Sequence, residues 1–301
     1  MIKLVLFFAL CFNILIASAA TVVPVVWPFD PSASNAMMIR AMLNTANSQQ
    51  NKYEFVFFNK PGAGGTIAAM AVAQASELTV LATSSSFYIR SKLFKESHNI
   101  DDFKLVTDMC GQQPLAIYSK KYKTIRSMKY TQLPITIGLL PGSITNLITK
   151  TIEKNNTNIK FTEVYYKGTP EATTHVIADI LEASVDFTGP SVLSRLPNDV
   201  AVVGITGDRS IRGFSTFQSE NVKGLERLVM DHYFLVSKSV NDNTRKELNE
   251  IFNNAFVNVQ AKEICDADNG VLKKMPFDRV DSFNKESNEL WSKFTEGFEK
   301  Q

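Results

Sequence analysis

Asn59-Lys60-Pro61-Gly62-Ala63-Gly64-Gly65-Thr66 is the stretch on which the fold turns. It follows an apolar run at residues 53–58 that reads as a strand, and it opens a run of small residues at 65–75 that reads as a helix. Strand, glycine turn and helix make the first half of a βαβ unit. Bare backbone amides then sit at a helix N-terminus, where unpaired N–H groups and the helix dipole both favour an anion. No Gly-Lys-Ser/Thr follows, so this is not a phosphate-binding P-loop, and Ile67 breaks the Gly-x-Gly-x-x-Gly dinucleotide fingerprint. A tight turn with no ligand is the commoner use of such glycines.

The flanking sequence extends the pattern. Thr21–Trp27 is a β-branched run closed by Pro28 and predicts a strand buried on both faces. Residues 36–48 place Met37, Ile39, Met42 and Leu43 at helical spacing, and residues 79–82 read as a third strand. Two βαβ units in succession imply a parallel sheet with right-handed crossovers. A second set follows: strands at 135–140, 160–166, 185–188 and 200–205, with helices at 143–155 and 169–181. Residues 115–130 read as a connecting region between the sets. The chain then returns through a strand-like run at 227–237 and helices at 243–259 and 277–298. This describes two α/β lobes: lobe I from residues 21–118 plus 230–301, and lobe II from 119–229. Loops at the carboxyl ends of the strands would line a cleft between them, where open α/β sheets bind ligands.

Residues 1–20 follow the recipe of a secretory signal peptide. Lys3 supplies the positive end, residues 4–16 a nearly unbroken apolar stretch, and Ala17-Ser18-Ala19-Ala20 small residues for cleavage. The stretch is shorter than the roughly 20 residues that span a bilayer as a helix. Leu10 before Cys11 is too large for a lipobox, so no lipid tether is expected. Lys3 is the only charge removed with this segment, so the formal net charge falls from +2 to +1. That balance argues against nucleic acid, which selects a basic stripe. With 45% hydrophobic and 21% charged residues the chain is ordinary globular material. The mature chain keeps Cys110 and Cys265; an exported compartment permits a disulfide, and two unpaired thiols are equally compatible.

Three other loops share the placement of the glycine turn. Pro28-Phe29-Asp30-Pro31-Ser32-Ala33-Ser34-Asn35 precedes the first helix, and Ser34 or Asn35 serves equally well as its N-cap. Thr83-Ser84-Ser85-Ser86-Phe87 places four hydroxyls beside a ring, and Pro141-Gly142-Ser143-Ile144-Thr145 is a second Gly/hydroxyl turn into a helix. Neutral donors of this kind would hold a small carboxylate by complete hydrogen bonding in a desolvated cleft. Enzyme readings fare poorly. His98, His175 and His232 lack metal-ligand spacing, and Gly189-Pro190-Ser191-Val192-Leu193 fails the nucleophile elbow at its last position. An exported serine hydrolase is therefore the weakest alternative, and no cofactor or metal is implied.

With these loops in hand, the chain resembles the solute-binding proteins of the tripartite tricarboxylate transporter family, the Bug-type periplasmic receptors. Residues 59–65 resemble that family's Asn-x-Pro-Gly-Ala-Gly-Gly. Val25-Val26, Pro28-Phe29, Pro31 and Arg40 match its first strand, loop and helix, and Tyr166-Lys167-Gly168 its second-lobe Tyr-Lys-Gly. Asp179-Ile180-Leu181 with Val185-Asp186 resembles the segment that follows. The resemblance covers essentially the whole mature chain. It implies a type II periplasmic-binding-protein fold whose two α/β lobes close on a small organic acid in an inter-lobe cleft and deliver it to a membrane permease. It also implies a periplasmic location, and a monomer is expected. A sensory protein of the same fold, signalling to a membrane receptor, is the alternative partner assignment.

Carried over by position, the resemblance puts the ligand near Phe29, Ser32, Ala33, Ser34 and Asn35, near Gly64, Gly65 and Thr66, and near Thr83, Ser84 and Ser85. From the second lobe it adds Gly142, Ser143, Tyr166, Lys167, Gly168, Pro190 and Ser191. The sequence departs from the family where its first loop reads Pro-Phe-x-Pro-Gly-Gly-x-x-Asp. Ser32-Ala33 replaces the two glycines, and Ala36 stands where the Asp would be. Ligand identity is therefore not inherited.

Overall fold

In a computed structural model, residues 20–256 and 258–298 are described. The signal-peptide reading of residues 1–20 falls, but for Ala20, outside them. Along the chain the elements are β1 (Thr21–Trp27), α1 (Ser34–Gln49), β2 (Tyr53–Asn59), α2 (Thr66–Ala73), β3 (Val80–Ser84), α3 (Ser86–Leu93), β4 (Phe103–Asp108) and β5 (Cys110–Gly111). There follow β6 (Leu115–Ser119), α4 (Ile125–Met128), β7 (Ile135–Leu139), α5 (Ile144–Asn155), β8 (Phe161–Tyr165), α6 (Thr169–Ile177), β9 (Ala183–Phe187), α7 (Pro190–Leu193) and β10 (Ala201–Ile205). The chain closes with β11 (His232–Ser237), α8 (Asp242–Ala255), α9 (Val259–Ala267), β12 (Val271–Leu272) and α10 (Phe277–Thr295).

The strands form two five-stranded sheets, ordered β2-β1-β3-β11-β4 and β10-β6-β9-β7-β8, and a two-stranded antiparallel pair, β12-β5. In the first, β1 lies parallel to β2 and β3, as the βαβ pattern requires. β11 is antiparallel to both β3 and β4, so the sheet is mixed rather than parallel throughout. The second sheet repeats this plan: β7 is parallel to β8 and β9, while β6 is antiparallel to β9 and β10. In each sheet the antiparallel member is the strand that has just crossed from the other one. β6 leaves the β4 side for the second sheet, and β11 returns from it.

Residues 115–130, read from sequence as a connection, thus contain β6, a central strand. All five of its residues are buried, so no alternation of polar and apolar residues marks it. β1 is less enclosed than its composition suggests, because Val22 is 54% exposed near the start of the strand. α1 buries Met38, Ile39, Met42 and Leu43 on one stripe, the spacing of a helix lying on a sheet. That stripe joins Val23, Val25, Phe55, Phe234 and Phe252 in one core under the first sheet. A second, larger core runs from Leu81, Tyr88 and Leu105 through Leu115 and Ile117 to Ile137, Leu147 and Val185, linking the sheets through the crossing segments.

Cys110 of β5 and Cys265 of α9 form a disulfide, which settles the pairing left open by the sequence. Gly270 is needed beside it: a Cβ there would overlap Cys110 Sγ and lie 2.9 Å from Cys265 Sγ.

Candidate functional site

Five helices begin at one cleft between the sheets. In four of them, α1, α2, α3 and α6, the N-cap residue makes no side-chain hydrogen bond to the helix. The fifth, α5, is capped by Ser143 in a reciprocal capping box with Asn146. A helix N-terminus carries roughly half a positive charge on its unpaired amides. Convergence of several on one enclosed space makes that space favourable to an anion without any arginine in its walls.

The cleft has two compartments. The inner chamber, of about 70 Å³, is lined by Trp27, Phe29, Ala33, Asn35, Ser84, Leu115, Phe187, Met230 and His232 among others. The outer compartment, of about 580 Å³, is lined by residues that include Pro28, Pro61, Gly62, Ala63, Gly64, Tyr166 and Glu171. Phe29, Asp30, Ser86, Leu140, Ser143, Lys167 and Gly168 line both and form the passage between them. Among the described residues Lys167 is the one lysine or arginine lining either compartment.

The structure sorts the sequence-named residues by position. Phe29, Ala33, Asn35, Ser84, Gly64, Ser143, Tyr166, Lys167 and Gly168 line the cleft. The others do not line it. Ser32 is exposed, its hydroxyl on Asp30 Oδ1 at 2.7 Å. Ser34 donates to Asp268 Oδ2 at 2.5 Å, and Gly65 lies against Pro28 and Phe29. Thr66 accepts from Arg90 Nε at 3.2 Å. Thr83 is buried within β3, and Ser85 is bonded to the backbone of Asp231. Gly142 packs against Phe94 and Arg90. Pro190 stands at the start of α7, and the side chain of Ser191 lies outside the described residues. Ala36, where the resemblance would place an Asp, is fully buried in the α1 core.

Sequence reading missed the residues that close the inner chamber. Trp27, Leu115, Phe187, Met230 and His232 come from strand ends and crossing segments far apart in the chain, and no local motif marks them. It also missed Arg90 and Asp186 as organisers. Arg90 is 7% exposed, stacks on Phe94 and donates from Nη1 to the Pro141 carbonyl at 2.9 Å, joining the first-sheet helix α3 to the second-sheet turn. Asp186 is buried at the end of β9, where Oδ1 accepts from Thr169 Oγ1 at 2.5 Å and Oδ2 from Thr173 Oγ1 at 2.9 Å. It thereby pins the start of α6 at the cleft; burial raises its pKa while these hydrogen bonds oppose the rise.

The histidines are engaged away from nucleophiles in the cleft. His232 Nδ1 faces the Cys110 carbonyl at 3.2 Å, and burial holds its pKa down at about 4. His98 sits between Phe87 O and Ser97, and His175 Nδ1 meets Tyr166 OH at 2.7 Å. Among the described residues no cluster of three metal-ligating side chains occurs, and no helix is long and apolar enough to cross a membrane.

No protein-family model matches the sequence, and no curated protein sequence does. Solved structures do match. The periplasmic binding protein BugD superposes with a TM-score of 0.80 at 17% identity, over 93% of this chain and 99% of its own. MatC from Rhodopseudomonas palustris with bound malate gives 0.78 at 14% identity, over 92% and 99%. An R. palustris protein with adipate gives 0.76 at 17% identity, over 92% and 96%. The likeness spans more than nine-tenths of the chain, and it gives this protein the fold of the Bug-type periplasmic binding proteins, two α/β lobes facing one cleft.

Proposed function

We propose that this chain is an exported, periplasmic solute-binding protein that captures a small organic acid between its lobes and delivers it to a membrane permease of the tripartite carboxylate type. The observation that carries the reading is the convergence of helix N-termini, four of them without a side-chain bond from the N-cap residue, on an enclosed cleft. Solved proteins of the same fold hold malate and adipate, which supports a carboxylate as the anion. The signal-peptide pattern of residues 1–20 supports export. Binding rather than hydrolysis fits the site, because among the described residues no histidine hydrogen-bonds a serine of the cleft.

A thermal-shift screen of mono-, di- and tricarboxylates on the mature chain tests it. A ligand that binds only the folded state at a hundred times its Kd adds about 2.7 kcal/mol of stability and raises Tm. The reading fails if no organic acid raises Tm while an unrelated solute does.

A further inference from the structure

The cleft leaves one end of the second lobe unused. β8 and β9 lie parallel to β7, so all three strands start at one pole of the lobe and run from it towards the cleft. The stretch from the end of β6 through α4 into β7, residues 120–134, crosses this pole. Tyr122, Ile125 and Met128 fasten it to the core. Its outer side chains are less usual: Leu133 is 76% exposed and Tyr130 74%, and Ile180, in the turn into β9, is 62% exposed. These are three of the four most exposed large apolar side chains among the described residues. Scattered singly they would be ordinary, but gathered at one pole they mark a contact surface.

The charges around them say what kind of contact. Lys120 pairs with Asp179 at 2.8 Å and Asp199 at 3.5 Å, and Lys121 with Glu182 at 2.5 Å. Glu153, near the end of α5, accepts from the Phe161 N–H at 2.8 Å and faces Lys150. Those contacts occupy the carboxylates. Lys123, Arg126, Lys129 and Lys160 form no ion pair among the described residues. Arg126 lies beside Tyr130, and the Lys160 carbonyl accepts from Ile135 N at 2.8 Å, which sets Lys160 next to the Leu133 turn. The mature chain as a whole carries a formal charge of only +1, so this cationic excess is local.

Lysine is depleted in the cores of protein–protein interfaces, which argues against a protein partner. A bilayer surface selects this mixture. Tyrosine seats at the headgroups, apolar side chains dip below them, and lysine and arginine reach back to the lipid phosphates. We propose that this pole of the second lobe is a docking surface for an anionic lipid bilayer. Tyr130, Leu133 and Ile180 enter the headgroup region, and the four unpaired cations meet lipid phosphates. The cleft then stands about one five-residue strand, roughly 16 Å, above the surface and stays open to solute. With no lipid tether expected from the sequence, the pole supplies a reversible one.

Sedimentation of the mature chain with two kinds of vesicle tests this, one of phosphatidylcholine alone and one of phosphatidylcholine and phosphatidylglycerol in equal parts. At about 0.1 M salt the chain sediments with the anionic vesicles only. Near 1 M salt, where the Debye length falls to about 3 Å, binding is lost. Each cation is worth about fivefold in partitioning, so Lys129→Gln with Lys160→Gln weakens binding about twentyfold. Leu133→Ser weakens it several-fold and leaves the salt dependence in place. Neither variant alters Tm or the response to organic acids, which separates lost docking from lost folding or lost ligand binding. No sedimentation with the anionic vesicles overturns the proposal, as does binding that neither variant weakens. Binding to soluble polyglutamate but not to vesicles also overturns it and assigns the pole to an acidic protein.

Discussion

Gly142 turns with a φ of +63°, and a Cβ there would run into the Phe94 ring and lie 2.7 Å from Arg90 Nη1. Gly64, with φ +58°, faces the same guanidinium from the other side, its notional Cβ 2.6 Å from Nη1. Both glycines are thus explained by one buried arginine that crosses the cleft mouth. Among the described residues Arg90 has no carboxylate partner there, and burial lowers its pKa. Its hydrogen bond to Pro141 O ties the first-sheet helix α3 to the second-sheet turn. Gly142→Ala adds left-handed strain to a steric clash and should cost about 1–3 kcal/mol, read as a lower urea midpoint with m unchanged. Because the clash sits where the lobes meet, ligand affinity should fall as well. An unchanged midpoint would mean that the turn relaxes freely and that Arg90 is not a strut.

At the scale of elements, the neighbouring strands β4 and β11 hold two raised carboxylates. Asp108 ends β4, and its pKa is raised to about 7 by burial and by Asp231, with Lys273 opposing. Asp231 immediately precedes β11 and is raised to about 6 by burial, opposed by the Gln112 backbone N–H and by Tyr233. The unfolded chain releases these protons near pH 4. Between that pH and about 7 the native state therefore binds more protons, and this contribution to stability falls as pH rises. His98 and His232, both held near 4, act in the opposite sense between about 4 and 6.5. Asp108→Asn removes one falling component and leaves the histidines in place. Its Tm relative to the native chain should therefore be several degrees more favourable at pH 8 than at pH 5. Equal offsets at the two pH values would show that Asp108 ionises normally.

Legibility in the sequence follows the same elements. β1, α1, β2, α2, β3 and the β7 to α6 stretch were readable because each joins an apolar run to a turn of glycine, proline or hydroxyl residues. β6 was not, since a strand buried on both faces shows no alternation. α3 was hidden because it starts within a serine run that reads as a loop. The site divides in the same way. Ser143, Lys167 and Gly168 lie in local turns and could be named, whereas His232 and Phe187 meet in the chamber only after the chain has crossed between sheets twice. In the hydroxyl loop the structure turns Ser84 and Ser86 to the cleft and Thr83 and Ser85 away, a choice that spacing alone did not reveal.

For the molecule as a whole, the disulfide ties the crossing region to the C-terminal end of α9. Cys110 and Cys265 are 155 positions apart and enclose the whole second sheet. In the chain-entropy description a closed loop of that length contributes about 5 kcal/mol by restricting the unfolded chain. The turn beyond Cys265 also reaches the second lobe. Asp268 holds Ser34 at the start of α1 and touches Gly189, while Asn269 Nδ2 donates to Thr188 Oγ1 at 3.1 Å and to its carbonyl at 3.3 Å. Reduction, or Cys110→Ala with Cys265→Ala, should therefore act at two levels. Tm should fall by of order 10 °C, and the freed turn should hold the lobes together less well. That second effect is a loss of affinity for whichever acid the screen identifies, measured well below the lowered Tm so that every molecule is folded. A fall in Tm with affinity unchanged would confine the disulfide to the unfolded state's entropy. Unchanged Tm under conditions where free-thiol titration proves the bond cleaved would refute the stabilising role altogether.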